Sequence, residues 1–314
     1  AGQTVFDSEI HGLHQSNLKV AFERSSNVGM AKLVYNYYYN QPGRVIKYIQ
    51  KLHLDSLTGI DIPGEGRPRI YKPGTNHWSK TTLPWMSFGY NLTVTPMHTA
   101  MLYNAVANNG VMVRPYLVNA IVKDGEVLKK FDPYVLDSSI SSKQTIADLK
   151  ECLEGVVLNG TAKSLASKDY SFAAKTGTAL VADKGITYKD KMYQSSFAGY
   201  FPANDPQYTI VVVIRNKKHA AKFYGGSVAG PVFRDVADQI YATHIRKQLQ
   251  KNFDGEDSAK YVASATVNTL AGVFSNLKYG NNDSNVSVLA DVQISKGKNP
   301  ELHKRNRNKG LMPS

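Results

Sequence analysis

The sequence predicts an α/β protein in which one main sheet is flanked by helices. Three largely apolar stretches follow one another at positions 172–181, 194–201 and 208–215, each with the length of a strand or little more. The run 209–214 is apolar on both faces, which is typical of a strand in the middle of a covered sheet. Segments with helical periodicity precede and follow these strands, so we expect the sheet to lie between helices.

Four helices are predicted in the first 110 residues. Ser16 is the expected N-cap of the first, which ends near Ser25. The second covers about 28–39 and the third about 45–53, on the spacing of their apolar residues. The pair Thr95-Pro96 supplies a cap and a first-turn proline for the fourth helix, which ends at a glycine, Gly110.

Turn and cap residues mark the remaining elements. Glycine, proline and basic residues dominate 59–86, which predicts a long surface excursion. A hairpin is predicted about Asp124-Gly125. Ser141 or Ser142 is the expected cap of a helix that closes at Asn159-Gly160, and Pro231 is the expected start of a long final helix.

Composition narrows the class of function. The 314 residues carry a formal charge of +13, but the charge is scattered and no finger, RNP stretch or phosphate loop accompanies it, so no nucleic-acid partner is expected. A single cysteine, Cys152, excludes an internal disulfide, and the apolar positions around it predict a structural thiol. No run of about 18 apolar residues and no leader are found, so neither a membrane span nor an export signal is predicted.

Reactive side chains concentrate at Lys175-Thr176-Gly177-Thr178. Because side chains alternate along a strand, Thr176 and Thr178 share one face, and Gly177 leaves room for a ligand or another backbone to lie close. Two hydroxyls and an ammonium beside a glycine form a receptor for a carboxylate. The tetrapeptide alone is also compatible with a strand that ends in an exposed lysine.

A second motif, Ser25-Ser26-Asn27, lies upstream between two predicted helices. K-T-G paired with S-x-N is the signature of penicillin-binding proteins and serine β-lactamases, whose third element is an S-x-x-K nucleophile. Two further blocks follow the same order, one on each side of K-T-G: Ser87-Phe88-Gly89-Tyr90-Asn91-Leu92-Thr93-Val94-Thr95-Pro96, and Tyr224-Gly225-Gly226 with Gly230-Pro231-Val232-Phe233.

On these four blocks, residues 1 to about 250 resemble the transpeptidase domain of class B penicillin-binding proteins, and most nearly the division-specific septal type. The resemblance implies a β-lactamase/transpeptidase-like fold, with an antiparallel sheet flanked by helices. It implies a peptidoglycan D,D-transpeptidase that attacks D-alanyl-D-alanine stem peptides with a serine and needs no metal or organic cofactor. β-Lactams would inhibit it by imitating the terminal dipeptide.

The resemblance also implies roles for individual residues. Ser25 would relay a proton, Asn27 would hydrogen-bond the acyl-side amide of the peptide, and Lys175 would supply a positive field and hold Ser25. The substrate-binding residues would be Thr176, Gly177 and Thr178. The two threonine hydroxyls would bind the terminal carboxylate, and the Thr178 backbone N–H would form half of an oxyanion hole.

The nucleophile is where the match fails. Three stretches satisfy S-x-x-K, at 16–19, 275–278 and 295–298. In the family the nucleophile lies several tens of residues before S-x-N, whereas Ser16 is only nine before Ser25 and the other two follow K-T-G. We therefore expect no nucleophile in this chain, which would be inactive alone and incomplete at its N-terminus. Lacking the family's first two strands and central helix, it would leave an apolar face of the sheet uncovered.

Residues 251–314 are expected to form a linker or tail, since 275–310 are rich in Asn, Ser, Lys and Gly. Residues 310–314 resemble the opening of a PASTA domain, a module that often follows these enzymes. The resemblance further implies a site on the extracytoplasmic face of the cytoplasmic membrane, an anchor outside this chain, and cell-division proteins as partners.

Other functions remain open on the sequence. A β-lactamase or D,D-carboxypeptidase would share the fold, but Ser87–Pro96, Thr178 and Tyr224-Gly225-Gly226 favour transpeptidases, and no deacylating glutamate motif is found. A catalytically silent penicillin- or peptidoglycan-binding protein, or a scaffold in the division machinery, would keep the pocket without the chemistry.

Overall fold

The main sheet has four antiparallel strands, seen in a computed structural model that describes residues 4–8, 17–182, 185–245 and 286–289. Side by side, these strands are β10 (Val286–Leu289), β9 (Tyr208–Arg215), β8 (Tyr193–Phe201) and β7 (Ala173–Leu180). Gly177 lies opposite Ser196, and Phe197 opposite Val212. The three predicted strands and their antiparallel arrangement are confirmed, and β9 lies between two neighbours as its apolar pattern predicts.

The helices of the described residues are α1 (Leu18–Glu23), α2 (Asn27–Tyr38), α3 (Pro42–Lys51), α4 (Thr82–Met86), α5 (Pro96–Ala107), α6 (Lys143–Leu158) and α7 (Gly225–Ile240). Short strands pair outside the main sheet: β1 (Arg69–Ile70) with β2 (Leu92–Thr93), β3 (Met112–Val113) with β6 (Val135–Asp137), and β4 (Ala120–Lys123) with β5 (Glu126–Lys130). Over these described ranges, no helix combines the length and apolar character that crossing a bilayer requires.

Three predicted helix starts are wrong. Asn17, not Ser16, caps α1, because its side chain accepts from the Val20 N–H at 2.9 Å; Ser16 lies outside the described residues. The third helix, α3, begins at Pro42 and not near residue 45, because the fixed φ of proline suits the first turn of a helix. Pro231 lies inside α7, which begins six residues earlier at Gly225.

Both faces of the main sheet are covered by helices. On one face Phe172, Phe197 and Val212 pack against Phe233 and other residues of α7. On the other, residues of α5 and α6 pack against Ala173 and Tyr200. Every residue from 208 to 212 of β9 is buried, so the expected uncovered apolar face is not found on this strand.

Two surface segments differ in how well the sequence predicts them. The hairpin about Asp124-Gly125 is confirmed, and both turn residues have positive φ, 49° and 85°, as a type I′ turn requires. The excursion over 59–86 is not wholly on the surface, because it contains α4, whose Leu83 and Met86 are buried.

Strand β10 falls within the segment predicted as a linker; the 251–314 boundary itself stays a prediction.

The single cysteine lies on α6 and is partly exposed. Burial raises the pKa of the Cys152 thiol, with smaller contributions from the nearby Glu23, Glu151 and Asp148 carboxylates, while Lys19 acts in the opposite direction. A thiol with a raised pKa forms little thiolate at neutral pH, which fits the structural role predicted for it.

Candidate active site

The K-T-G-T residues lie on β7, the edge strand of the main sheet. A cavity of about 630 Å³ opens beside this strand. Thr176 and Thr178 line it from β7, Ser25 from the turn between α1 and α2, and Asn27 from the start of α2. The structure therefore brings together the two motifs that the sequence analysis paired.

Ser25 and Lys175 are in direct contact. The Lys175 ammonium donates to Ser25 Oγ at 2.8 Å and to the Thr176 carbonyl at 3.1 Å, and it lies 5.8 Å from the centre of the Phe22 ring. Among the described residues no carboxylate lies within ion-pair distance of it. Desolvation alone lowers the pKa of Lys175 to about 8, because burial without a counter-charge disfavours the ammonium form.

The Ser25 turn is held by backbone geometry and by an aspartate. Ser25 has a φ of 56°, a conformation that few residues other than glycine adopt. Ser26 is the N-cap of α2 and accepts from the Gly29 N–H at 2.9 Å. The Asp7 carboxylate accepts from Ser26 Oγ at 3.0 Å and from the Val28 N–H at 3.0 Å, which places a negative charge at the N-terminus of α2.

Asn27 lines the cavity, and its side-chain amide also forms a hydrogen bond to the N-terminal segment. Its Nδ2 donates to the Phe6 carbonyl at 3.1 Å. No hydrogen bond to Asn27 Oδ1 is found within the described part of the chain, so this oxygen is the atom that could accept from the N–H of a bound peptide.

The start of α7 packs against β7. The Gly225 N–H donates to Thr178 Oγ1 at 2.9 Å. A Cβ built on Gly225 would lie 2.4 Å from the backbone oxygens of both Gly177 and Ser196, so only glycine allows α7 to begin here. The space beside Gly177 is itself filled by Ser196 Oγ, 2.3 Å from an ideal Cβ at that position. Internal packing thus accounts for Gly177, and its predicted contact with substrate stays a prediction.

Aromatic side chains also line the cavity, and the sequence analysis assigned them no role. Tyr193 and Phe223 are stacked with ring centres 4.1 Å apart. Phe88 and Tyr90 line the cavity as well, and Tyr90 accepts from the Leu180 N–H at 3.3 Å through its hydroxyl. Burial raises the pKa of Tyr90, so this hydroxyl stays protonated at neutral pH.

Thr161 was also missed, although it lines the same cavity. It follows the end of α6, and its hydroxyl lies 2.7 Å from the Thr176 hydroxyl. Its N–H donates to the Glu23 carbonyl at 3.2 Å, two residues before Ser25. The Asn159-Gly160 pair marks the helix end in the sequence, but nothing local indicates that the next residue reaches β7.

The rejected nucleophile candidates remain without structural support. Ser16 and the serines at 275 and 295 lie outside the described residues. Lys19, which completes the first S-x-x-K match, pairs with Glu151 instead of facing the cavity. Within the described ranges, no cluster of three or more His, Cys, Asp or Glu side chains could hold a metal ion.

The chain is similar to known proteins over most of its length. The penicillin binding protein transpeptidase domain family matches residues 3–238. The chain is 31% identical over 252 residues to penicillin-binding protein PbpB of Mycolicibacterium smegmatis, covering 77% of this chain and 38% of that protein. It is 31% identical over 222 residues to peptidoglycan D,D-transpeptidase FtsI of Escherichia coli K12, covering 70% of this chain and 35% of that protein.

This chain also has the same fold as a solved structure. Penicillin binding protein 3 of Mycobacterium tuberculosis, crystallised with aztreonam, superposes with a TM-score of 0.66 at 28% identity, covering 77% of this chain and 54% of that one. The expected β-lactamase/transpeptidase-like fold is therefore confirmed. The chain spans little more than a third of the two sequence relatives. Because the domain match extends over most of its length, this chain belongs to the penicillin-binding protein transpeptidase domain family.

Proposed function

We propose that this chain is part of a serine-type peptidoglycan D,D-transpeptidase of the class B, septal type, which cross-links stem peptides ending in D-alanyl-D-alanine. The observation that carries the proposal is the 2.8 Å contact between Lys175 Nζ and Ser25 Oγ, beside a cavity that Ser25, Thr176 and Thr178 line. A hydroxyl that bonds to a lysine with a lowered pKa is suited to pass a proton during acyl transfer. Two relatives that carry the names PbpB and FtsI support the class.

In the proposed reaction the substrate lies along the edge of β7. Its terminal carboxylate accepts from the Thr176 and Thr178 hydroxyls, while the Lys175 ammonium contributes a positive field. Asn27 Oδ1 accepts from the N–H on the acyl side. The Thr178 backbone N–H serves as one donor of the oxyanion hole, a contact of a kind worth about 3 kcal/mol of barrier.

The nucleophilic serine is proposed to lie outside these 314 residues. Its hydroxyl attacks the carbonyl of the penultimate D-alanine, and the terminal D-alanine leaves as its nitrogen takes a proton. Ser25 passes that proton, with Lys175 holding its hydroxyl in place. An amine of a neighbouring stem peptide then displaces the serine and forms the cross-link, so no redox step or cofactor is involved.

The remaining parts of the proposal concern where the protein acts and what it meets. β-Lactams are proposed to bind by replacing the terminal dipeptide, and the mycobacterial protein of similar fold was crystallised with the β-lactam aztreonam. The catalytic unit faces the extracytoplasmic side of the membrane, works with cell-division proteins, and does not bind nucleic acid.

Labelling with a fluorescent penicillin tests the proposal. The full-length gene product and the 314-residue chain are each incubated with the probe and analysed by denaturing gel and peptide mass. We expect one stable adduct on a serine outside the 314 residues, and none on the chain alone. An adduct on Ser16 or Ser25 would contradict the assignment of the nucleophile.

Two other outcomes would favour the alternative functions. A full-length protein that is folded but never labelled would favour a silent penicillin- or peptidoglycan-binding protein. An adduct that is hydrolysed within seconds would favour a β-lactamase.

A further inference from the structure

Both threonine hydroxyls that face the cavity from β7 have a hydrogen-bonding partner from elsewhere in the protein. Thr178 Oγ1 accepts from the Gly225 N–H at 2.9 Å. Thr176 Oγ1 lies 2.7 Å from Thr161 Oγ1. A hydroxyl has one proton and two lone pairs, so a hydroxyl that accepts from the protein keeps its own proton for a ligand. Thr178 is clearly in this state, because its partner is a backbone N–H that can only donate.

The state of Thr176 depends on which hydroxyl of the pair donates. If Thr176 donates to Thr161, its single proton is used inside the protein, and it can offer a carboxylate only lone pairs. A carboxylate is an acceptor and requires donors. Binding of a carboxylate at Thr176 therefore requires Thr161 to be the donor, which turns the Thr176 proton toward the cavity.

The position of Thr161 is fixed by close packing with the end of α1. The Thr161 N–H donates to the Glu23 carbonyl at 3.2 Å. A Cβ on Gly160 would lie 2.2 Å from that same carbonyl oxygen, and a Cβ on Gly155 would lie 1.9 Å from Glu23 Oε1. These two glycines let α6 and the residues after it lie directly against Glu23, so Thr161 is held at a set distance from both β7 and the Ser25 turn.

We propose that Thr161 is a positioning residue for carboxylate recognition, since its hydroxyl donates to Thr176 and thereby directs the Thr176 proton to the terminal carboxylate of the substrate. The inference rests on the proposed function and adds to it a residue outside the four sequence blocks. Thr161 acts through Thr176, so its effect is specific to ligands that carry the carboxylate.

The test compares a penicillin with its methyl ester, in which the carboxylate is masked. The rate of acylation by each is measured for the full-length gene product, for Thr161→Val, which keeps the shape without the hydroxyl, and for Thr161→Ser, which keeps the hydroxyl. We expect Thr161→Val to lower acylation by the free acid about fivefold, because Thr176 loses the neutral hydrogen bond that orients its proton, and acylation by the ester less than about twofold. Thr161→Ser should restore the preference for the acid.

A double-variant measurement makes the test independent of a general structural effect. If Thr161 acts through Thr176, adding Thr161→Val to Thr176→Val should cause no further loss with the free acid. Equal losses for acid and ester, or fully additive losses in the double variant, would overturn the inference. If Thr161→Val does not give a cooperative unfolding transition, Thr161→Ala replaces it in both comparisons. Failure of the unmodified protein to acylate at all would count against the proposed function instead.

Discussion

Lys175 Nζ donates to Ser25 Oγ at 2.8 Å, although the two residues are 150 positions apart in the chain. The contact joins the edge strand of the main sheet to the turn between α1 and α2. That turn is held on its other side by Asp7, and Thr161 connects its preceding residues to Thr176. These contacts connect Ser25 to both motifs. We therefore expect a substitution at any of these residues to change the position of the Ser25 hydroxyl.

Replacing Lys175 with methionine removes the ammonium while keeping a side chain of similar length. We expect acylation of the full-length protein by penicillin to fall about 100-fold or more, the loss typical of removing one preorganised donor at a reacting centre. Lys143→Met is the matched control, because Lys143 is an exposed residue at the start of α6. Acylation at the unmodified rate by Lys175→Met would show that this ammonium has no part in the reaction.

Acylation should also depend on pH through Lys175. Its pKa is lowered to about 8 by burial, so it is charged below that pH and loses its proton as the pH rises through it. If the charged form supplies the field at the site, the acylation rate should fall above about pH 8. Measurement from pH 6 to 10 checks this, with Lys143→Met expected to give the unmodified profile. A rate that rises through pH 8 would instead make the neutral amine the active form.

The lowered pKa of Lys175 also predicts how the stability of the folded protein changes with pH. Lysine in an unfolded chain has a pKa near 10.5, so between about pH 8 and 10.5 the unfolded state binds the proton that the folded state has released. The contribution of Lys175 to the free energy of unfolding should therefore increase over this range. Chemical denaturation at pH 7.5 and 10, compared with Lys175→Met, isolates this contribution. A difference between the two proteins that does not change with pH would contradict the lowered pKa.

Glycines at the junction of α7 and β7 should differ in how they tolerate a methyl group. Gly225→Ala places Cβ 2.4 Å from two backbone oxygens that cannot move away, so we expect a loss of more than about 3 kcal/mol or no folding. Gly177→Ala meets only Ser196 Oγ at 2.3 Å, so Ser196→Ala in the same protein should recover much of the loss.

Gly43 is the control for this series. No atom lies within 4 Å of an ideal Cβ there, in the first turn of α3, and alanine should be neutral or stabilising by up to about 1 kcal/mol. Denaturant unfolding of the four variants gives the free energies. Equal effects at 225 and 43 would show that the close approach of α7 to β7 is not required.

The elements that the sequence predicts well are those set by local patterns. The apolar runs of β7, β8 and β9 and the cap at Thr95 depend on neighbouring residues, and the structure confirms them. The start of α7 was misplaced because the signal of Pro231 is local, whereas the helix begins where Gly225 meets β7. Likewise the buried α4 lies in a segment whose glycines and prolines suggest only a surface loop.

In the candidate site, too, the sequence predicts the residues of known motifs but not those positioned by distant packing. The S-x-N and K-T-G residues could be paired from the sequence because their motifs carry a known chemistry, and the structure places them around one cavity. Thr161 and Asp7 belong to no such motif. Their contacts with Thr176 and Ser26 arise only when segments distant in sequence pack together, and periodicity and capping rules carry no information on that packing.

Asp7 should stabilise the Ser25 turn through the start of α2. Its carboxylate accepts from Ser26 Oγ and the Val28 N–H, and an asparagine of the same shape would lose the charge and present an N–H₂ to one of these donors. We expect Asp7→Asn to lower the free energy of unfolding by about 1 kcal/mol, the value of a helix cap together with its interaction with the helix dipole.

Asp124→Asn is the matched control, since Asp124 lies exposed in the β4–β5 turn with a positive φ that asparagine also adopts. Ser25 directly precedes Ser26, the residue that bonds to Asp7. We therefore expect Asp7→Asn also to slow acylation by penicillin, and Asp124→Asn to leave its rate unchanged. Unchanged stability and acylation in Asp7→Asn would mean that the turn keeps its shape without the Asp7 charge.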